Sequence, residues 1–267
     1  MNLRVISTPA KSVLSSPVLT AEEAVAVARS LAPKFAERAA HAEKIRRVPE
    51  ESIEELHASG LLRLMQPKRF GGSELGLGVL MDVVLEICKG CSSTAWVYSN
   101  LASHSWNIGQ FELQAQEDIW GDDPFALAAT GLAFPCGKAV PVEGGYKVSG
   151  KWPFGSGVDA STWMLVGAMT EQAGGAPQRR FFLIPQSDFK SQDNWQAYGL
   201  GATGSHDVHV AESFVPEHRS VSAEVFAAGQ NLPGAKLYTN KLFQMPTFAA
   251  FAYVLASIPL GTAKAAV

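Results

Sequence analysis

Charge is scarce in this chain of 267 residues, and cysteine scarcer still. Only 18% of the side chains are Asp, Glu, Lys or Arg, and 22 basic residues against 25 acidic ones leave a net charge of -3. Nucleic-acid surfaces and polybasic membrane patches need a concentrated positive field, so this balance argues against both. The three cysteines, Cys88, Cys91 and Cys136, are too few for a disulfide framework. Cys88-Lys-Gly-Cys91 has C-x-x-C spacing but lies late in the apolar helical pattern "LGVLMDVVLEICKGC" rather than between a strand and a helix. With no second Cys or His pair at zinc spacing, buried thiols in a reducing cytoplasm are expected, and no metal. Long apolar runs are missing too: "MNLRVISTPAKSVLSSP" has no signal-peptide core, and nothing approaches the ~18 residues of a membrane span. What is plentiful is the 47% hydrophobic content, enough for a sizeable core and suited to a small or apolar ligand.

The pattern changes along the chain. Residues 1–19, rich in Ser, Pro and Thr, read as a loose lead-in. Thr20-Ala-Glu-Glu23 is a capping box, and the helical composition that follows to about residue 48 has Pro33 as a kink or break. A short helix follows Pro49 and stops at Gly60. Two apolar helices come next, one over about 76–90 and one capped by Ser92 or Ser93, then an amphipathic turn or two closed by Gly121. Residues 20–122 are thus expected to form a helical domain. From 123 to 222 short alternating segments are separated by Gly and Pro, and "VEGGYKV" signals a hairpin. Without helices between them these strands predict an antiparallel β-sandwich or barrel. Residues 233–267 turn helical again, ending in an apolar face that expects cover from a longer chain or a neighbouring subunit.

"GLGATG" at 199–204 matches the G-x-G-x-x-G dinucleotide fingerprint. That fingerprint needs a helix after the glycines to hold a pyrophosphate, whereas "SHDVHVAESFV" alternates with a period of two and reads as a strand. In that strand His206 points away from Asp207 and His209, which leaves too few ligands on one face for a metal. His41, His57 and His218 sit among polar residues and read as surface. Arg179 and Arg180, beside "FFLIP", read as a solvated strand end.

The order helical block, β-block, returning helix carries local motifs with it. "ELHASGLLRLMQPKRFGGSELG" and "GGYKVSGKWPFGSG" resemble segments of the acyl-CoA dehydrogenase-like flavoproteins, over about residues 20–267. The pattern P-x-G-x-A, G-G-Y-x-V-S-G-x-W-x-F-x-S-G, T-G-S-x-D is most similar to the oxygenase components of two-component flavin-dependent aromatic monooxygenases. The resemblance implies an α+β fold: an N-terminal helical domain, a middle antiparallel β-domain and the start of a C-terminal helical bundle. It also implies reduced FMN or FAD supplied by a separate flavin reductase, and O2 activation through a C4a-(hydro)peroxide. The expected substrate is a small aromatic, phenolic molecule, and the expected assembly a homo-oligomer, dimer or tetramer. On the same footing Ser156 falls at flavin N5, Phe154 beside the ring with Gly155 and Gly157 allowing close approach, and Trp96 against the flavin. Thr130 falls near the pyrimidine edge or the oxygen, and His104 near the substrate. Trp96 and His104 are eight residues apart on one helix, which lets them face the same side. The alternatives are an acyl-CoA dehydrogenase with tightly bound FAD, and a truncated, non-catalytic scaffold.

Overall fold

The computed structural model describes residues 16–171 and 175–267. The expected lead-in therefore lies largely outside the described residues. Its last part is held in place: Leu19 is buried and its N–H donates to Ser73 Oγ at 2.9 Å.

Helix α1 (Ala21–Ile45) starts on Thr20, and both bonds of the capping box form, Glu23 N–H to Thr20 Oγ1 and Thr20 N–H to Glu23 Oε2. It runs unbroken through Pro33, because neighbouring turns and the buried stripe of Ala28, Leu31, Ala32 and Phe35 outweigh one lost hydrogen bond. Helix α2 (Glu50–Ala58) follows Pro49 and is closed by Gly60 in the left-handed region. Helix α3 (Leu77–Cys88) packs beside α4 (Ser92–Ile108), and α5 (Leu113–Trp120) ends at Gly121. Neither serine caps α4. Cys91 occupies the N-cap, Ser92 Oγ bonds Thr262 Oγ1 and Ser93 Oγ donates to Glu43.

Eight strands form one curled sheet: β1 (Ala128–Gly131), β2 (Gly137–Val142), β3 (Gly145–Gly155), β4 (Trp163–Thr170), β5 (Gln178–Pro185), β6 (Lys190–Gln192), β7 (His206–Pro216) and β8 (Ser220–Ser222). The β2–β3 hairpin turns through Glu143-Gly144, with Gly144 at φ +77°. Most pairs are antiparallel, but β4 runs parallel to both β1 and β2. The expectation of a purely antiparallel sheet overlooked the route of the chain. Strand β3 makes the return trip, so a short turn at Val158–Ala160 delivers β4 to the end of the sheet where β2 began, and no crossover helix is needed. Alternation sends Leu165, Phe181 and Leu183 to one apolar cluster with α5, and Met164, Val166, Phe182 and Ile184 to another with Trp152, Val208 and Val210.

Short α6 (Ala223–Ala228) leads to two 3-10 turns, so helix resumes at Thr247 in α7 (Thr247–Ala265) rather than directly after Pro233. Helix α7 contradicts the expectation that no run reaches membrane-span length: 19 residues long, it is apolar enough by length and composition. Its Ala250, Val254 and Ile258 pack into the α3–α4 core.

Candidate functional site

The C-terminal end of β3 meets the N-terminal half of α4. Trp152, which heads the "WPFGSG" motif, is core: its indole is fully buried, donates to Gly167 O at 2.8 Å and lies against Gly131, Gly137 and Gly150. A Cβ on any of these three would stand within 3 Å of the indole. Just beyond it β3 slips register against β7, and Phe154 adopts φ +63°. An aromatic residue there is strained, and the ring that the strain turns outward is 66% exposed beside Trp195. The glycines flanking Ser156 serve packing. A Cβ on Gly155 would meet His206 O and Val208, and one on Gly157 (φ +75°) would meet Val97 and Leu101 of α4.

Ser156 is buried, and Trp96 Nε1–H donates to its Oγ at 2.9 Å. The same oxygen lies 2.7 Å from Ser205 Oγ, which lies 2.7 Å from Thr203 Oγ1, whose hydroxyl donates to Leu200 O at 3.0 Å. The structure thus brings Trp96, Phe154 and Ser156 together and adds Thr203 and Ser205 to them.

His104 lies two turns farther along α4, roughly 12 Å along the axis at the standard helical rise. Its ring is buried, with Nδ1 2.7 Å from Ala128 O and Nε2 without a partner. A carbonyl only accepts, so Nδ1 carries the proton and Nε2 offers a lone pair. Burial pushes the pKa down to about 4, with the Ala128 bond opposing the shift, so the imidazole is neutral at neutral pH. Phe251 of α7 lies parallel to it, 6.1 Å between ring centres. Thr130 is half-buried on the same face of β1 as Ala128. Asn107, three residues past His104 on the same helical face, also buries an unpartnered Nδ2, a polar group that sequence reasoning missed.

The "GLGATG" segment forms a 3-10 turn, Gly201–Thr203, bracketed by Leu200 and Gly204 in the left-handed region, and strand β7 follows. Its Ala202 N–H donates to Glu43 Oε1 at 3.3 Å, and Gly201 packs on the same carboxylate. The anion at this turn is the protein's own glutamate. His206 is buried, accepts the Trp195 N–H at Nδ1 and aims Nε2 at Asp159 Oδ2, 3.5 Å away. Arg46 and Arg47 reach the same region through Asp193 and Asp159. No group of three or more His, Cys, Asp or Glu able to hold a metal occurs among the described residues. His57 is buried rather than exposed, because it follows Ile53 and Leu56 on the packed face of α2. His218 bonds Asp118, while Arg179 and Arg180 pair with Glu224 and Glu217 at the sheet edge.

The fold is acyl-CoA dehydrogenase-like, and residues 20–120 match the acyl-CoA dehydrogenase N-terminal domain. The chain is similar to oxygenase components. It is 37% identical to the oxygenase subunit HsaA of a flavin-dependent monooxygenase from Rhodococcus jostii, over 81% of this chain and 56% of that protein. It is 35% identical to the oxygenase component of an FADH2-dependent resorcinol hydroxylase from Rhizobium sp., over 88% of this chain and 58% of that one. The solved 3-HSA hydroxylase of Rhodococcus sp. RHA1 superposes with a TM-score of 0.88 at 33% identity, covering 91% of this chain and 62% of that one. The chain therefore spans little more than half the length of the curated relatives it matches.

Proposed function

We propose that the chain carries the flavin and substrate site of an oxygenase component, which takes reduced flavin from a separate reductase and hydroxylates a phenolic ring with O2. The observation that carries this reading is the arrangement on α4: Trp96 fixes the Ser156 hydroxyl, and His104, two turns on, buries a neutral imidazole with its Nε2 lone pair unused. A hydroxyl acceptor beside an exposed aromatic ring fits the polar edge and flat face of a flavin. Reduced flavin, when bound, supplies the activation of O2. FADH2 is the form in the name of the Rhizobium relative and is the favoured cofactor over FMN.

The protein's own part is binding, orientation and proton handling. Phe154 offers an apolar face, Trp96 and Ser156 hold the polar edge, and the buried surroundings of Ser156 and His104 limit water. His104 Nε2 accepts the hydrogen bond of a phenolic hydroxyl. With a pKa of about 4 the imidazole is a weak base. Full transfer from a phenol near ~10 would be uphill by about 8 kcal/mol, so the imidazole orients the hydroxyl and draws its proton as the ring is attacked. A homo-oligomer is part of the proposal, supported by exposed Tyr253 and Leu260 on α7.

Addition of pre-reduced flavin, then air and a panel of phenols, tests the reading. We expect colourless protein that consumes O2 and yields hydroxylated phenol. A yellow protein bleached by an acyl-CoA would instead support a dehydrogenase.

A further inference from the structure

The chain of hydroxyls behind Ser156 has a direction. Each hydroxyl carries a single proton, and the chain ends on the Leu200 carbonyl, which can only accept. Thr203 therefore spends its proton on Leu200, so the 2.7 Å contact between Thr203 and Ser205 must use the Ser205 proton. By the same count the 2.7 Å contact between Ser205 and Ser156 must use the Ser156 proton. At the other end Trp96 Nε1 has only a hydrogen to give, and gives it to Ser156. Ser156 Oγ is thus left with no proton and one lone pair for anything outside the protein.

We infer that Thr203 and Ser205 are positioning residues that turn the Ser156 hydroxyl into an obligatory acceptor, and that the site thereby selects reduced over oxidised flavin. The inference rests on the proposed flavin site at Ser156. Reduced flavin bears N5–H, a donor that matches the free lone pair. Oxidised flavin bears a bare N5 that needs a donor, and two acceptors facing each other repel. Turning the Ser156 proton outward would require the Ser205 and Thr203 protons to reverse in turn, leaving the Thr203 and Leu200 oxygens in contact with no hydrogen between them. Little freedom exists to relax this. The three hydroxyl residues are all buried, the Gly157 N–H is tied to Thr203 O, and the loop is anchored to α1 through Glu43. The Thr-Gly-Ser part of "GLGATGSHD" thus acts on the ligand through Ser156, and the selection suits a component that must accept flavin reduced elsewhere.

The test is anaerobic titration of the protein with oxidised and with reduced FAD, reading the ratio of the two dissociation constants. The wild type should prefer reduced FAD. Ser205→Ala frees the Ser156 proton and should shift the ratio about tenfold toward oxidised FAD. Thr203→Val, nearly isosteric, should shift it in the same direction, and Thr203→Ser, which keeps the hydroxyl, should leave it near the wild-type value. A wild type that prefers reduced FAD alongside Ser205→Ala and Thr203→Val variants with unchanged ratios would overturn the inference while sparing the flavin site. Failure of the wild type to bind either form would overturn both.

Discussion

His104 and His57 share a physical condition, an imidazole buried where protonation is penalised, but they differ in what the unused nitrogen faces. Desolvation holds each pKa near 4, with the Arg63 charge adding to the effect at His57. Between that value and the ordinary ~6.5, the unfolded chain binds protons that the folded chain excludes. These two groups leave stability untouched above about pH 6.5 and lower it as pH falls toward 4, each by up to about 3 kcal/mol. Urea unfolding at pH 7, 5.5 and 4.5 should show this decline, and His57→Gln should flatten it by about one proton. In the proposed site only His104 takes part. His104→Asn should reduce phenol hydroxylation by about 10²–10⁴-fold while leaving the affinity for reduced flavin within about twofold, as measured by product analysis beside anaerobic titration. In sequence His57 reads as surface among polar neighbours, and only the fold shows it buried like His104, with Phe125 rather than Ala128 O beside it.

Elements show which parts of the fold were legible and why. Thr20 with Glu23, and Gly144 in the hairpin, act within a few residues of themselves, so their structural meaning is carried locally. The parallel partnership of β4 depends on the path of β3 and is invisible in any local window. Gly131, Gly137 and Gly150 make room for Trp152, a role that no local pattern announces. A Cβ at Gly150 would sit 2.4 Å from Cys136 O and 2.7 Å from the indole, neither of which can retreat easily. Gly150→Ala should therefore destabilise the protein by about 1–3 kcal/mol, seen as a lower denaturation midpoint, whereas alanine at Gly78, with open space around it, should not. The hydroxyl chain joins Ser156 to Ser205 across a gap in sequence that no spacing rule spans, although both residues lay in motifs singled out for the flavin.

Across the whole molecule, two of the contacts that fasten the helical layer to the sheet flank the site. One is the Trp96–Ser156 bond. The other is the end of α1, where Arg46 donates to Trp195 O at 2.7 Å and pairs with Asp193 at 2.6 Å, next to buried His206. Arg46→Ala should cost about 1–2 kcal/mol and weaken reduced-flavin binding, because Trp195, the neighbour of Phe154, loses its anchor. Equilibrium unfolding and flavin titration would register the two effects separately. The proposed function requires the site where α4 meets the end of β3 to let reduced flavin and O2 hydroxylate a phenol held at His104. The most direct measurement is a single turnover of pre-reduced FAD with ¹⁸O2 and a phenol panel, followed by mass spectrometry. The account predicts a catechol or quinol product bearing one ¹⁸O atom, lost on His104→Asn. Reoxidation that yields only hydrogen peroxide with every phenol tested would contradict it.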